Sequence, residues 1–173
     1  MLILITGGVK SGKSRRALEI AKSEWSFPVS FIATAEALDE ETRCRIEKHR
    51  EERKELAGIE DSTNEGFITI EEPLELDKAI ASAGERALVD CIPMWVNNLM
   101  HYQRDKDFDR ILEAFLRNVK DCIVVTNETG MGNIPFDEYT RRYNLLLAEA
   151  NRRVAAAADR LEIMVCGIPL RVK

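Results

Sequence analysis

The opening of this chain constrains it more than any other stretch. A short apolar run, Leu2–Thr6, leads directly into Gly7-Gly8-Val9-Lys10-Ser11-Gly12-Lys13-Ser14, and a helical pattern follows. The octet fits G-x-x-x-x-G-K-[ST], and every position has a physical task. The glycines let the backbone turn without a Cβ and aim successive N–H groups inward, where they can meet phosphate oxygens. The helix that begins here adds the positive end of its dipole. Lys13 can reach the outer phosphates, and the Ser14 hydroxyl can ligate magnesium. A chance glycine-rich turn needs neither the strand before nor the helix after, and both are present. The stretch therefore predicts a bound nucleotide polyphosphate. It leaves the reaction open, because such loops serve kinases, switches and motors alike.

The rest of the chain alternates short β-branched runs with helical patterns. Strands are expected at Leu2–Thr6, Pro28–Ala33, Phe67–Ile70, Ala87–Ile92, Cys122–Thr126 and Glu162–Cys166, with Leu170–Val172 as a further edge. Helices are expected at Lys13–Ser23, Leu38–Leu56, Leu74–Ala83, Trp95–Tyr102, Phe108–Val119 and Tyr139–Ala158, and the polar stretch 57–66 is expected to be a surface loop. Strands that are apolar on both faces and separated by helices predict a mostly parallel sheet covered on two sides. The expected class is thus α/β, a P-loop NTPase-like sheet with helices on both faces. With 173 residues, the chain is expected to form one domain over 1–173.

Charge and cysteine usage narrow the partners. A net charge of −5 argues against a protein that coats nucleic acid, which needs a basic surface, but not against a small anionic ligand held at a local positive site. The four cysteines form no C-x-x-C pair and there are two histidines, so a zinc site is not expected. Cys91, Cys122 and Cys166 fall in apolar runs and are expected to be small buried hydrophobes in a reducing compartment. No run approaches the roughly 20 apolar residues of a membrane helix, and a cytoplasmic protein is expected.

The stretch "RCRIEKHREERKE" places Arg45, His49 and Arg53 at i, i+4 and i+8 on one helical face, with Arg50 adjacent. By spacing alone this is a solvated charged face, balanced by Glu47, Glu51 and Glu52. It is also an arrangement suited to polyphosphate. Arginine forks pair with phosphate oxygens, and nearby cations keep an imidazole neutral and nucleophilic. His101 follows the apolar "WVNNLM" and is expected at a helix end or on the surface, with Trp95 in the core.

Two carboxylates fall at strand ends. Asp90, after "RALV", can anchor magnesium or accept hydrogen bonds from N1–H and the exocyclic amine of guanine. Glu71, after "FITI", has the same options or is a plain surface acid. The loop "TNETGMGNIP", residues 126–135, lies at the carboxyl end of a strand, the edge at which open α/β sheets bind ligands.

Taken together, these stretches resemble the bifunctional adenosylcobinamide kinase/adenosylcobinamide-phosphate guanylyltransferase family. The resemblance runs nearly end to end, through "ITGGVKSGKSR", "FIATAEALDEE", "RIEKHREER", "ITIEEPLEL", "LVDCIPMWVNNL", "VTNETGMGNIP" and "NRRVAAAADRLEIMVCGIPLRVK". The combination of R-I-x-x-H-[RK]-x-x-R with VTNE-x-G-x-G-x-x-P is far more specific than the phosphate loop alone. The resemblance implies that His49 carries GMP covalently. It implies nucleotide contacts at Gly7, Gly8, Val9, Lys10, Ser11, Gly12, Lys13 and Ser14, at Ile32, Ala33 and Thr34, at Arg50, Glu51, Glu52 and Arg53, and at Glu71 and Asp90. Ser14 and Asp90 are the expected magnesium ligands. GTP and ATP are the expected nucleotide substrates, adenosylcobinamide and its phosphate the acceptors, and a homo-oligomer, with a trimer as the expected form, the assembly. Two departures from the family pattern stand out: Pro93 replaces a polar residue, and the stretch from Arg53 to Phe67 is longer than usual.

The function so implied is phosphorylation of adenosylcobinamide followed by GMP transfer through His49. A single-activity P-loop kinase and a nucleotide-dependent switch are the alternatives, and neither requires a nucleophile on the arginine-rich face. No residue presents itself in the sequence as the base of the kinase step.

Overall fold

The computed structural model describes residues 1–37, 40, 43, 44, 46, 47, 50, 51, 66–131 and 134–173. His49, Arg45, Glu52 and Arg53 lie outside these residues, as do most of the helix expected at Leu38–Leu56 and nearly all of the loop expected at 57–66.

The described strands are β1 (Leu2–Gly7), β2 (Val29–Ala33), β3 (Phe67–Glu71), β4 (Arg86–Asp90), β5 (Asp121–Val125), β6 (Arg160–Val165) and β7 (Ile168–Arg171). They form one sheet in the order β3-β2-β4-β5-β1-β6-β7. All pairings are parallel except the hairpin of β6 with β7. The described α-helices are α1 (Lys13–Glu24), α2 (Leu76–Ser82), α3 (Ile92–His101), α4 (Phe108–Asn118) and α5 (Glu138–Ala157).

Period-2 alternation in the strands distributes their side chains between two cores. Leu2 and Leu4 of β1, with Val89 and Val124, pack against α2, α3, α4 and α5. Ile3 and Ile5, with Leu88, Ile123 and Val125, pack against Ala17, Leu18, Ile20 and Ala21 of α1. Strands that must be apolar on both sides are the reason these runs read as continuous Val, Ile and Leu. The α/β class with helices on both faces is therefore present as expected.

Element boundaries differ from the sequence expectation in two informative places. The run "ALVDCI" ends as a strand at Asp90, and Ile92 already belongs to α3, whose first turn contains Pro93. A proline costs little there because a first-turn N–H has no intrahelical partner. Cys166 is neither in a strand nor buried. It is exposed and forms, with Gly167, the two-residue turn between Val165 and Ile168, with φ of 50° and 85°. A two-residue hairpin turn of the I′ kind needs positive φ at both central positions, which ends β6 one residue early. Cys91 is half-buried at the head of α3, so of the three expected buried thiols only Cys122 is fully enclosed, and burial pushes its thiol pKa well up.

Trp95 is fully buried, stacks on Phe108 with ring centroids 5.4 Å apart, and donates Nε1–H to the Leu74 carbonyl at 2.8 Å. Trp95→Ala removes this volume and leaves an acceptor unpaired. Urea denaturation is expected to show a loss of about 3–5 kcal/mol, the usual scale for aromatic truncation in a core. A loss under about 1 kcal/mol would show that the α3–α4 layer collapses around the cavity.

Candidate functional site

The ends of β1, β2, β3, β4 and β5 bring most of the expected residues to one edge of the sheet. At the centre, β1 ends in Gly7 and the loop 8–12 returns the chain into α1. Gly7 has φ 144°, and a Cβ there would lie 2.5 Å from the Met164 carbonyl of the neighbouring strand. Only glycine fits where the loop leaves the sheet this close to β6. Gly12, at φ 90°, caps α1, and Lys10 adopts φ 55° between them. Gly8, Val9 and Lys10 are exposed, whereas Lys13 is buried and directs its ammonium into the loop, donating to the Gly8 carbonyl at 2.5 Å and to Ser11 Oγ at 3.5 Å. The loop thus holds a cation against its own Gly8 carbonyl and Ser11 hydroxyl, at the start of a helix.

Behind the loop, Glu162 of β6 is buried and accepts from Arg16 Nε at 2.8 Å and from Arg160 Nε at 2.9 Å. The Arg16 hydrogen bond, ahead of the Arg160 bond, holds its carboxyl below the usual range against the opposing effect of burial. This cluster fixes the first turn of α1 against β6. A cleft of about 400 Å3 opens beside the loop, lined by Lys10, Ser11, Arg15, Arg16, Met164 and Cys166 among others, a size suited to a small molecule.

The neighbouring strands supply the remaining groups. Asp90 ends β4 half-buried, in register with Val125 of β5 and Ala33 of β2. Thr34 is fully buried. Its N–H donates to the Asp90 carbonyl at 3.3 Å, and its hydroxyl both donates to the Cys91 carbonyl at 2.7 Å and accepts from the Cys91 N–H at 2.8 Å. Ile32 is fully buried in the core. The side chains of Ile32 and Thr34 are therefore enclosed and serve as scaffold, the Ala33 and Thr34 carbonyls accept from Glu72 N–H and Asn98 Nδ2, and half-buried Ala33 is the one exposed part of this stretch. Glu71, exposed at the end of β3, forms an ion pair with Arg50, while Glu51 is exposed. That pair joins two expected nucleotide contacts far apart in sequence, although an exposed pair contributes little stability.

Ser14 is half-buried in the first turn of α1 and its hydroxyl has no hydrogen bond among the described residues. No cluster of three or more His, Cys, Asp or Glu able to hold a metal occurs among those residues. An open hydroxyl and a separate carboxylate suit a hard cation that takes its other ligands from phosphate and water, as magnesium does. They do not suit a metal enclosed by protein.

Two asparagines that the sequence reading did not single out hold the site edge together. Asn98 of α3 is fully buried and donates Nδ2–H to the Thr34 carbonyl at 2.7 Å and the Pro73 carbonyl at 3.1 Å. Asn151 of α5 accepts from the Thr126 hydroxyl at 2.6 Å and donates to the Asn127 carbonyl at 2.9 Å. Their partners lie 24 residues away or more, so no local signal in the sequence marks them apart from their polarity on otherwise amphipathic helices.

A phosphate loop between a central parallel strand and its helix, with strand-end carboxylates beside it, defines an α/β protein of the P-loop nucleotide-binding class. Residues 3–172 match the family described as cobinamide kinase / cobinamide phosphate guanyltransferase, CobU, and the chain belongs to that family. It is accordingly an enzyme of the cobinamide kinase and cobinamide phosphate guanyltransferase class. It is 36% identical to the bifunctional adenosylcobalamin biosynthesis protein CobP of Pseudomonas aeruginosa, over 98% of this chain and 96% of that one. It is 33% identical to the bifunctional adenosylcobalamin biosynthesis protein CobU of Escherichia coli, over 100% of both. Among solved structures, the flagellar accessory protein FlaH of Methanocaldococcus jannaschii superposes with a TM-score of 0.47 at 15% identity, covering 99% of this chain and 77% of the other. No described helix is long and apolar enough to cross a membrane.

Proposed function

We propose that this chain phosphorylates adenosylcobinamide with ATP or GTP and then transfers GMP from GTP to the resulting phosphate, giving adenosylcobinamide-GDP. The observation that carries the reading is the formed phosphate loop, with buried Lys13 turned into it, in a chain that matches its family over nearly its whole length. In the kinase step the loop N–H groups and Lys13 hold the triphosphate and meet the charge that spreads over the transferring phosphoryl group. Ser14 and Asp90 would hold a magnesium ion, which when bound neutralises phosphate charge. In the second step His49 attacks the α-phosphorus of GTP, pyrophosphate leaves, and the GMP on His49 passes to the corrinoid phosphate. Arg50, Arg53 and Glu71 orient the nucleotide, with Glu71 or Asp90 as the acceptor for guanine N–H groups. Assembly as a homo-oligomer, a trimer by family resemblance, a single domain over 1–173 and a cytoplasmic location belong to the same proposal.

Incubation with adenosylcobinamide and GTP labelled at the α or the γ position, followed by identification of every product, tests it. The γ-label is expected in adenosylcobinamide phosphate and the α-label in adenosylcobinamide-GDP. Transfer of γ-label with no retention of α-label would reduce the chain to a single-activity kinase. Transfer of neither would leave a nucleotide switch.

A further inference from the structure

The kinase step needs an acceptor for the proton of the attacking hydroxyl, and the sequence does not mark one. The sheet order narrows the search. β5 lies between β1, which carries the phosphate loop, and β4, which carries Asp90. A carboxylate just past the end of β5 therefore lies between the strand of the phosphate loop and the strand of Asp90. Glu128 is that carboxylate.

Its position is built rather than incidental. The Glu128 N–H donates to the carbonyl of Gly7, the first residue of the phosphate loop, at 3.1 Å. The two residues before it are clamped by Asn151 through the Thr126 hydroxyl and the Asn127 carbonyl. Its own Oε1 accepts from the Gly130 N–H at 2.9 Å, which orients the carboxylate, and Oε2 has no hydrogen bond among the described residues. Glu128 is half-buried and has no ion pair among the described residues. Other carboxylates at this end of the molecule are engaged: Glu162 with Arg16 and Arg160, Glu19 with Arg15, Glu71 with Arg50, Glu72 with the Leu74 and Glu75 N–H groups, and Glu36 as acceptor for the Tyr102 hydroxyl, while Asp90 is assigned above to magnesium or guanine.

We propose that Glu128 is the general base of the kinase step. The inference rests on the functional reading above and deepens it. The acceptor hydroxyl oxygen forms a bond to the γ-phosphorus, the bond from that phosphorus to the β–γ bridging oxygen breaks, and the nucleoside diphosphate leaves with the electron pair. The hydroxyl proton passes to Glu128 Oε2. Guanylylation of the protein uses a nitrogen nucleophile and has no such hydroxyl to deprotonate, so Glu128 separates the two reactions.

Glu128→Gln tests this, because glutamine keeps an oxygen to accept from Gly130 and removes only the basicity. Phosphorylation of adenosylcobinamide from γ-labelled GTP is expected to fall about 100-fold or more in kcat, on the scale of general base loss. GMP retained on the protein from α-labelled GTP, measured in the same preparation, is expected to stay within about threefold of wild type. Kinase activity within threefold of wild type overturns the proposal. So does a parallel loss of both activities in a folded variant, which would make Glu128 part of a general scaffold. Should the glutamine variant not fold, Glu128→Asp replaces it. Partial kinase activity with intact GMP retention then supports the proposal, and any other pattern overturns it. A wild-type protein that phosphorylates no adenosylcobinamide overturns the functional reading, and this inference with it, whereas active wild type with an unaffected glutamine variant overturns this inference alone.

Discussion

His49→Asn protein, mixed with α-labelled GTP and magnesium and then denatured, is expected to retain no acid-labile GMP. A phosphorus–nitrogen bond to imidazole is labile in acid and comparatively stable in base, unlike a phosphoester of serine or threonine. Wild-type protein is therefore expected to keep the α-label through denaturation, to release it as GMP in mild acid, and to keep nothing from γ-labelled GTP by this route. Asparagine is close in size and polarity to histidine but offers no nucleophilic nitrogen at neutral pH. GMP transfer is expected to fall on the order of 10⁴-fold or more, the scale on which loss of a covalent nucleophile is felt. Phosphorylation of adenosylcobinamide needs phosphate positioning and no imidazole nucleophile, so most of it is expected to remain. A folded His49→Asn protein that still traps acid-labile GMP would assign the nucleophile to another residue.

Lys13→Ala is expected to depress both reactions together, which sets it apart from changes at His49 and Glu128. The Lys13 ammonium is buried in the phosphate loop and points at the Gly8 carbonyl and Ser11 Oγ. In the function proposed above, the same ammonium is expected to meet the outer phosphate oxygens of a triphosphate in the loop. Its removal takes away roughly 2–4 kcal/mol of transition-state stabilisation, the scale of one preorganised electrostatic donor. Rates of GMP retention and of γ-phosphate transfer are expected to fall about 30- to 1,000-fold each. Circular dichroism and thermal midpoint serve as the control, because α1 is also held by Arg16 on Glu162 and by the packing of Ala17, Leu18 and Ile20. Near-normal rates for both reactions in a folded variant would rule out a phosphate loop shared between the two steps.

Much of this molecule was legible before any coordinates. The strands β1, β2, β4 and β5 are apolar on both faces because helices cover both sides of a parallel sheet, and this pattern is strong over five residues. The phosphate loop was legible because its requirements are local: glycine where φ is positive, a lysine and a serine at the helix start. Misjudged points were those set by a partner across space. Cys166 looks like the last residue of an apolar run, yet the return of β7 against β6 requires it in the turn. Ile92 looks like the end of a strand, yet it is the first residue of α3 and is buried in the core that this helix shares with Ile32, Val89 and Val124 of the sheet.

The sequence alone therefore determined the class of fold, the glycine-rich turn from β1 into α1 and the family, since each depends on residues near one another in the chain or on a motif whose spacing is itself diagnostic. Only the tertiary structure decided how the strands are ordered, that Arg50 meets Glu71, that Asn98 and Asn151 tie down the ligand edge, and that Glu128 is fastened to Gly7. The physical reason is the same in each case. A hydrogen bond or ion pair between residues 21 or more positions apart leaves no periodicity in the sequence, and it exists only once the sheet has brought the two ends of chain together.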